Sequence, residues 1–170
     1  MATKTGTKSA ASKTTRSSAR KKAAAGDAIQ LLRADHKQVS ELFEQFEKAR
    51  SSARKATLVE QICQELTVHA QVEEEIFYPA FKAKARDKTL IPEATVEHQT
   101  MKDLIAQVKD VPPEGEIYEA RVKVLGEYVK HHVKEEQNEM FPKAKAAKLP
   151  LDQLGEQMRL RKAELLASYR

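Results

Sequence analysis

The 170-residue chain is predicted to be all-α: an antiparallel four-helix up-and-down bundle with a short C-terminal helix and a disordered basic N-terminal tail. Three observations carry that prediction. Four long segments repeat core-type residues in alternating steps of three and four, the period of one helix face. Only 5 Gly and 6 Pro are present and Trp is absent, a balance that disfavours a turn-rich β architecture. The chain breakers that do occur fall between the periodic segments, and the length suits one core.

The first segment, residues 1–26, is the exception to the periodicity. It carries Lys4, Lys8, Lys13, Arg16, Arg20, Lys21 and Lys22 and no acid, so the net charge of +5 belongs to this arm alone. Its other residues are Ala, Ser, Thr and Gly after Met1, too small to bury the surface that would offset their ordering entropy. It reads as disordered. Such an arm solubilises, or draws nucleic acid or an anionic surface by counterion release, and its composition overlaps with organelle transit peptides.

Helical periodicity starts at Asp27. Ile29, Leu32, His36, Val39, Phe43 and Phe46 form the first stripe, and Leu58, Ile62, Leu66, His69, Glu73, Ile76 and Ala80 the second. Ala94, His98, Met101, Ile105 and Val108 form the third; Val122, Leu125, Val129, His132, Glu136 and Glu139, with Met140 beside the last, form the fourth. Ser51-Ser52, the 87–92 stretch and the 111–115 stretch with its Pro112-Pro113 separate them. Residues 27–147 should therefore be the bundle. Residues 148–170, with Leu154, Met158, Leu165 and Leu166 after Pro150, should add a helix packed on it.

The stripes are not wholly apolar. His36, His69, His98 and His132 each take a core-facing position on a different helix, and Glu73 and Glu136 lie one turn beyond a histidine on the same faces. An unpaired buried carboxylate costs several kcal/mol, so something inside the bundle must compensate the two. The chain also repeats itself. His69 and Glu73 match His132 and Glu136 as HxxxE, each with Pro ten residues after the histidine, which selects His132 over His131. Two hairpins, each supplying a lone His and an HxxxE pair, bring six donors to one point in the core.

That set has the chemistry of a two-metal centre. Carboxylates facing each other across an approximate two-fold axis can each bridge two cations, and imidazoles complete the shells. Neutral nitrogen with carboxylate oxygen suits Fe, Mn or Zn. The single cysteine, Cys63, excludes a four-thiolate site or a CxxC pair and reads as a small core residue.

The ordered set Asp35-His36, His69-xxx-Glu73 followed by Glu74-Glu75-Ile76-Phe77-Tyr78-Pro79, Glu97-His98, and His132-xxx-Glu136 ahead of Phe141-Pro142 closely resembles the hemerythrin-like, or HHE cation-binding, family. The downstream Leu154-Gly155-Glu156-Gln157-Met158 adds to the likeness. The resemblance implies two non-haem iron ions with an oxo, hydroxo or water bridge. In it His36, His69, His98 and His132 are terminal ligands and Glu73 and Glu136 bridges. Members that carry dioxygen reversibly have a further histidine where this chain has Lys102, which argues against simple oxygen transport and for two nearly equivalent metals.

The function expected on that basis is binding or sensing of O2, NO or peroxide. The alternatives are a di-iron oxidoreductase acting on peroxide, NO or iron, and an iron or redox protein carried to nucleic acid by its arm. Glu97, Tyr78, Tyr128 and Met101 read as ordinary packing or surface before any role beside the metals. His131 should face solvent, and Glu74, Glu75 and Glu135 should be a solvated face. No apolar run is long enough to cross a bilayer, no secretory signal is visible, and a cytoplasmic location is expected, with organelle import by the arm as the alternative. No phosphate-binding Gly-rich loop or hydrolase triad is present, so no catalytic side chain is assigned.

Overall fold

The computed structural model describes Met1 and residues 26–169. The expected disordered arm lies almost wholly outside them. Helix α1 (Ala28–Lys48) starts at a capping box, in which the Asp27 carboxylate accepts from the Gln30 backbone N–H and the Gln30 side chain accepts from that of Asp27. A three-residue turn ends in Ser51, whose hydroxyl accepts from the Arg54 N–H and starts α2 (Ser52–Val72). Chain segment 73–84 continues α2 through a π-helical turn, Glu73–Phe77, into α3 (Tyr78–Lys84). Asp87 Oδ1 then accepts from the N–H groups of Thr89 and Leu90 at the start of α4 (Leu90–Lys109).

Gly115, with φ of +86°, takes a left-handed conformation that a side chain would strain, and opens α5 (Gly115–Glu135). A second π turn, Glu136–Met140, leads into α6 (Phe141–Ala146), and α7 (Leu151–Ala167) closes the chain. Among the described residues there is no strand, and no helix is long and apolar enough to cross a membrane. The short α1–α2 and α4–α5 connections fold each pair back on itself as a hairpin. Helix α7 lies along α1 and α2.

The two π turns correct the sequence reading of the stripes. The Tyr78 N–H bonds to the Glu73 carbonyl and the Phe141 N–H to that of Glu136, five residues back, so each helix holds one residue more than an α turn allows. That residue rotates the rest of the helix by about 100°. Ile76 and Ala80, placed on the core stripe, are only half-buried, and Glu139 is exposed; Phe77, Tyr78, Phe81, Met140, Phe141 and Ala144 are buried instead. The prolines at 79 and 142 stand directly after the wide turns, where the N–H they lack is not needed by a regular ladder. The repeated Pro is the visible trace of both turns.

The core is divided in two. One apolar cluster includes Ile29, Leu32, Phe77, Phe81, Phe141, Leu154 and Met158, and the other Val39, Leu58, Ile62, Leu66, Ile105 and Leu125. Cys63 is buried in the second, and burial pushes its thiol up to about 11, which leaves it unreactive at neutral pH. Between the clusters runs a buried polar layer: His36, His69, Glu73, His98, His132 and Glu136, with Asp35 beside them. Every helix of the four-helix bundle crosses from one apolar cluster to the other at its histidine.

Helix α7 is held to this bundle by close backbone approach. A Cβ on Gly155 would sit 2.7 Å from the Ala28 nitrogen and 2.8 Å from the Asp27 carbonyl carbon, so no side chain fits. Gly155→Ala is expected to destabilise the fold by about 1–3 kcal/mol while keeping its helix content. Urea unfolding followed by circular dichroism checks this, and an unshifted midpoint would show that α7 can slide without cost.

Candidate metal centre

All six donor residues expected from the sequence meet in the polar layer, and their donor atoms face one another. His36 Nε2 and His69 Nε2 are 3.1 Å apart, as are His98 Nε2 and His132 Nε2. Each carboxylate spans both pairs. Glu73 Oε2 lies 3.3 Å from His69 Nε2 and 3.4 Å from His98 Nε2; Glu136 Oε2 lies 3.3 Å from His36 Nε2 and 3.8 Å from His132 Nε2. Two overlapping donor groups result, one of His36, His69, Glu73 and Glu136 and one of Glu73, His98 and His132.

The outward ring nitrogens explain why the inward ones face each other. His69 Nδ1 is 3.4 Å from Asp35, His98 Nδ1 is 3.0 Å from Glu74, and His132 Nδ1 is 2.5 Å from Glu97. A carboxylate beside Nδ1 accepts a hydrogen bond from the ring N–H, which holds the proton on Nδ1 and leaves the Nε2 lone pair pointing into the centre, the arrangement found behind metal-binding histidines. His36 Nδ1 instead meets the side-chain amide of Gln137, 3.1 Å away, whose oxygen accepts from Arg33. Lys102 donates to both oxygens of Glu74, and Lys162 of α7 donates to Asp35.

Electrostatics make this donor set costly on its own. Burial, and then the neighbouring Glu136, push the Glu73 carboxyl well above its usual range, so it holds a proton. Burial also opposes ionisation of Glu136, but His36, His132 and His69 outweigh it and keep this carboxyl far below that range. Burial lowers His98 to about 4, whereas the Glu97 carboxylate more than offsets burial at His132 and raises it. Glu73 Oε1 and Glu136 Oε2 are buried and accept no hydrogen bond. Orphaned carboxylate oxygens beside converging imidazole nitrogens are what a cation pair would satisfy, so the residues present fit a two-metal group.

A domain described as the hemerythrin HHE cation binding domain matches residues 27–144. The chain belongs to this hemerythrin HHE family. Among solved structures, an HHE cation-binding domain-containing protein from Mycobacterium kansasii superposes with a TM-score of 0.75 at 24% identity, covering 84% of this chain and 89% of that one. A curated relative from Nostoc sp., named a DNA nickase, is 30% identical over 111 residues, which are 65% of this chain. The chain spans only 31% of that relative's length.

Other expectations need correction. Tyr78, expected to be packing, donates its hydroxyl to Glu136 Oε1 at 2.8 Å and lies 3.1 Å from His98 Nε2 and 3.4 Å from Glu73 Oε2. The π turn rotates it inward. Burial and both carboxylates raise its pKa well above the usual value, so the proton stays on the oxygen. Glu97 and Glu74 are not mere surface either, since each holds a histidine of this HHE centre. Met101 is buried apolar core and Tyr128 half-buried, as expected for packing; His131, Glu75 and Glu139 are exposed.

Asp35 stands in the sequence only as part of a motif, and nothing in the stripes marks Gln137 or Lys162. Most of these outer partners have a signal in the repeat, because the acid before each lone histidine (Asp35, Glu97) and the residue after each HxxxE glutamate (Glu74, Gln137) occupy matching positions. Lys162 has none, as its place depends on how α7 docks.

Because the metal-free fold favours the protonated form of Glu73 and raises the proton affinity of His132, metal must compete with protons at both. Affinity should fall as pH drops below neutrality, with about one or more protons released per centre filled near pH 7. Calorimetric titration in buffers of different ionisation enthalpy measures that release, and a pH-independent affinity would contradict the assigned protonation.

Proposed function

We propose that the bundle holds two non-haem iron ions and uses them to bind or sense O2 or a related small oxidant, NO or peroxide. The observation that carries this reading is the bridging placement of Glu73 and Glu136, each with one oxygen between histidines of both hairpins. In it His36 and His69 serve one ion, His98 and His132 the other, and both glutamates serve the two together. Iron would supply redox capacity and open positions for the small ligand; Mn and Zn fit the same donors but only the first of these shares that redox capacity. Membership of the HHE cation-binding family supports a cation at this place.

The protein's own groups shape what can reach the donors. A groove of about 750 Å³ runs between α1 and α5 and ends at His36, with Val39, Phe43, Val122, Val129 and Val133 among its walls. Charged side chains, Glu44, Glu47, Lys55 and Lys130 among them, share the wall with these apolar ones, so the groove is a solvated approach to His36 rather than a dry channel. On the other hairpin, the Lys102–Glu74 pair stands beside His98.

The test is iron content per chain with the visible and near-ultraviolet spectrum, on protein purified without added metal and exposed to air. About two irons with charge-transfer absorption are expected. His69→Ala and Glu73→Ala should each remove most of the metal while the helices persist, because both apolar clusters remain. Full metal retention in both variants would reject the ligand assignment.

Tyr78 favours a second reading, a di-iron oxidoreductase acting on peroxide, NO or iron. Its O–H is a buried proton donor within hydrogen-bonding reach of three donor atoms of the centre. Tyr78→Phe should then leave metal content unchanged and slow metal-dependent peroxide or NO consumption by about a hundredfold. A wild-type protein that consumes neither would leave binding or sensing as the full description. Association with nucleic acid through the basic arm has separate support, from the arm's composition and from the name of the Nostoc relative.

A further inference from the structure

The two hairpins give their HxxxE histidines the same kind of outer partner in unlike surroundings. Behind His69, Asp35 is neutralised: the Lys162 ammonium lies 2.8 Å from its Oδ1 and 3.2 Å from Glu65 Oε2. One cation is clasped there by two carboxylates. Glu97 holds the matching place behind His132, and it too has a second carboxylate close by, that of Glu135. No Lys or Arg among the described residues pairs with either.

What stands in that place is an imidazole. His131 Nε2 lies 3.2 Å from Glu135 Oε1 and 3.8 Å from Glu97 Oε1, and one donor atom from each of the three falls within 4.8 Å of the others. The His131 side chain is 60% exposed, so the cluster is reached from solvent without opening the core. Glu97 cannot easily swing away to relieve the crowding, because its other oxygen accepts the His132 Nδ1 proton. The Glu97 and Glu135 carboxylates lack the positive charge that Lys162 supplies in the other hairpin.

We propose that Glu97, His131 and Glu135 form a surface site for a divalent transition-type cation, separate from the buried centre. One imidazole nitrogen with carboxylate oxygens suits Zn2+, Co2+, Fe2+ or Mn2+ better than Mg2+ or Ca2+, and water would complete the shell. Glu97 is shared between the two places, one oxygen turned to the surface cluster and the other to His132. The site does not depend on which metal, if any, fills the interior.

Equilibrium dialysis of the full chain against Zn2+, after the buried donors have been saturated, tests this. One further equivalent is expected. His131→Ala and Glu135→Gln should each weaken that equivalent about tenfold or more while leaving the buried complement in place. The His69→Ala, Glu73→Ala double variant should lose the buried complement and keep the surface equivalent, which separates failure here from failure of the di-iron reading. No equivalent beyond the buried complement, or a further equivalent indifferent to His131→Ala, would overturn the proposal.

Discussion

The rest of the structure depends on two carboxylates that face each other in the middle of a helical bundle. Glu73 and Glu136 are 0% and 2% exposed, and an isolated charge at either place would cost several kcal/mol of a stability that totals only about 5–15 kcal/mol for a domain. Four imidazoles aimed at them, a tyrosine hydroxyl on one of them and a proton held on Glu73 all reduce that cost in the metal-free chain. None removes it, since one oxygen of each carboxylate accepts no hydrogen bond. A pair of cations would satisfy those oxygens and displace the proton, which couples metal affinity to folding and to pH through the same few atoms.

Placing those atoms is the work of the outer layer. A neutral histidine that offers its Nε2 lone pair inward carries its proton on Nδ1. Asp35, Glu74 and Glu97 accept from that position at three of the four rings, while at His36 the Gln137 amide N–H faces Nδ1 as a donor. The π turns belong to the same requirement. By adding one residue after Glu73 and Glu136 they bring Tyr78 and Phe141 round to the centre, where Tyr78 lies against His98 and Phe141 stacks on His36. A regular helix would have turned Ile76 and Glu139 inward, and a third carboxylate in that layer would have found no partner.

The fold and the inner donors are legible because both rest on period. Stripes with steps of three and four survive in a single sequence, and a histidine on such a stripe is conspicuous among Leu, Ile and Val. What is not legible depends on departures from period or on contacts between distant segments. Tyr78 sits off the stripe until the π turn rotates it, so by spacing alone it reads as packing. Glu74 and Glu97 look like members of a solvated face because a half-buried acid bonded to a ring nitrogen has the same sequence as an exposed one. Lys162 reaches Asp35 from α7, 127 residues away, and no local pattern encodes that.

The repeat also conceals how far the halves have diverged. With no third-helix histidine at Lys102, four imidazoles divide evenly between the two hairpins, and equal metals are the natural expectation. The surroundings are unequal at several matching positions. Lys102 and Glu74 make an ion pair beside His98, whereas His36 has Ser40, on the wall of the α1–α5 groove, and the neutral Gln137 beside it. Tyr78 puts a hydroxyl on the donor atoms, and its counterpart Phe141 brings only an aromatic ring. Lys162 neutralises Asp35, while Glu97 faces Glu135 and His131. Imidazole basicity follows the charge on the outer partner. Three histidines are backed by carboxylates and one, His36, by an amide, and His36 is also the one that lines the groove.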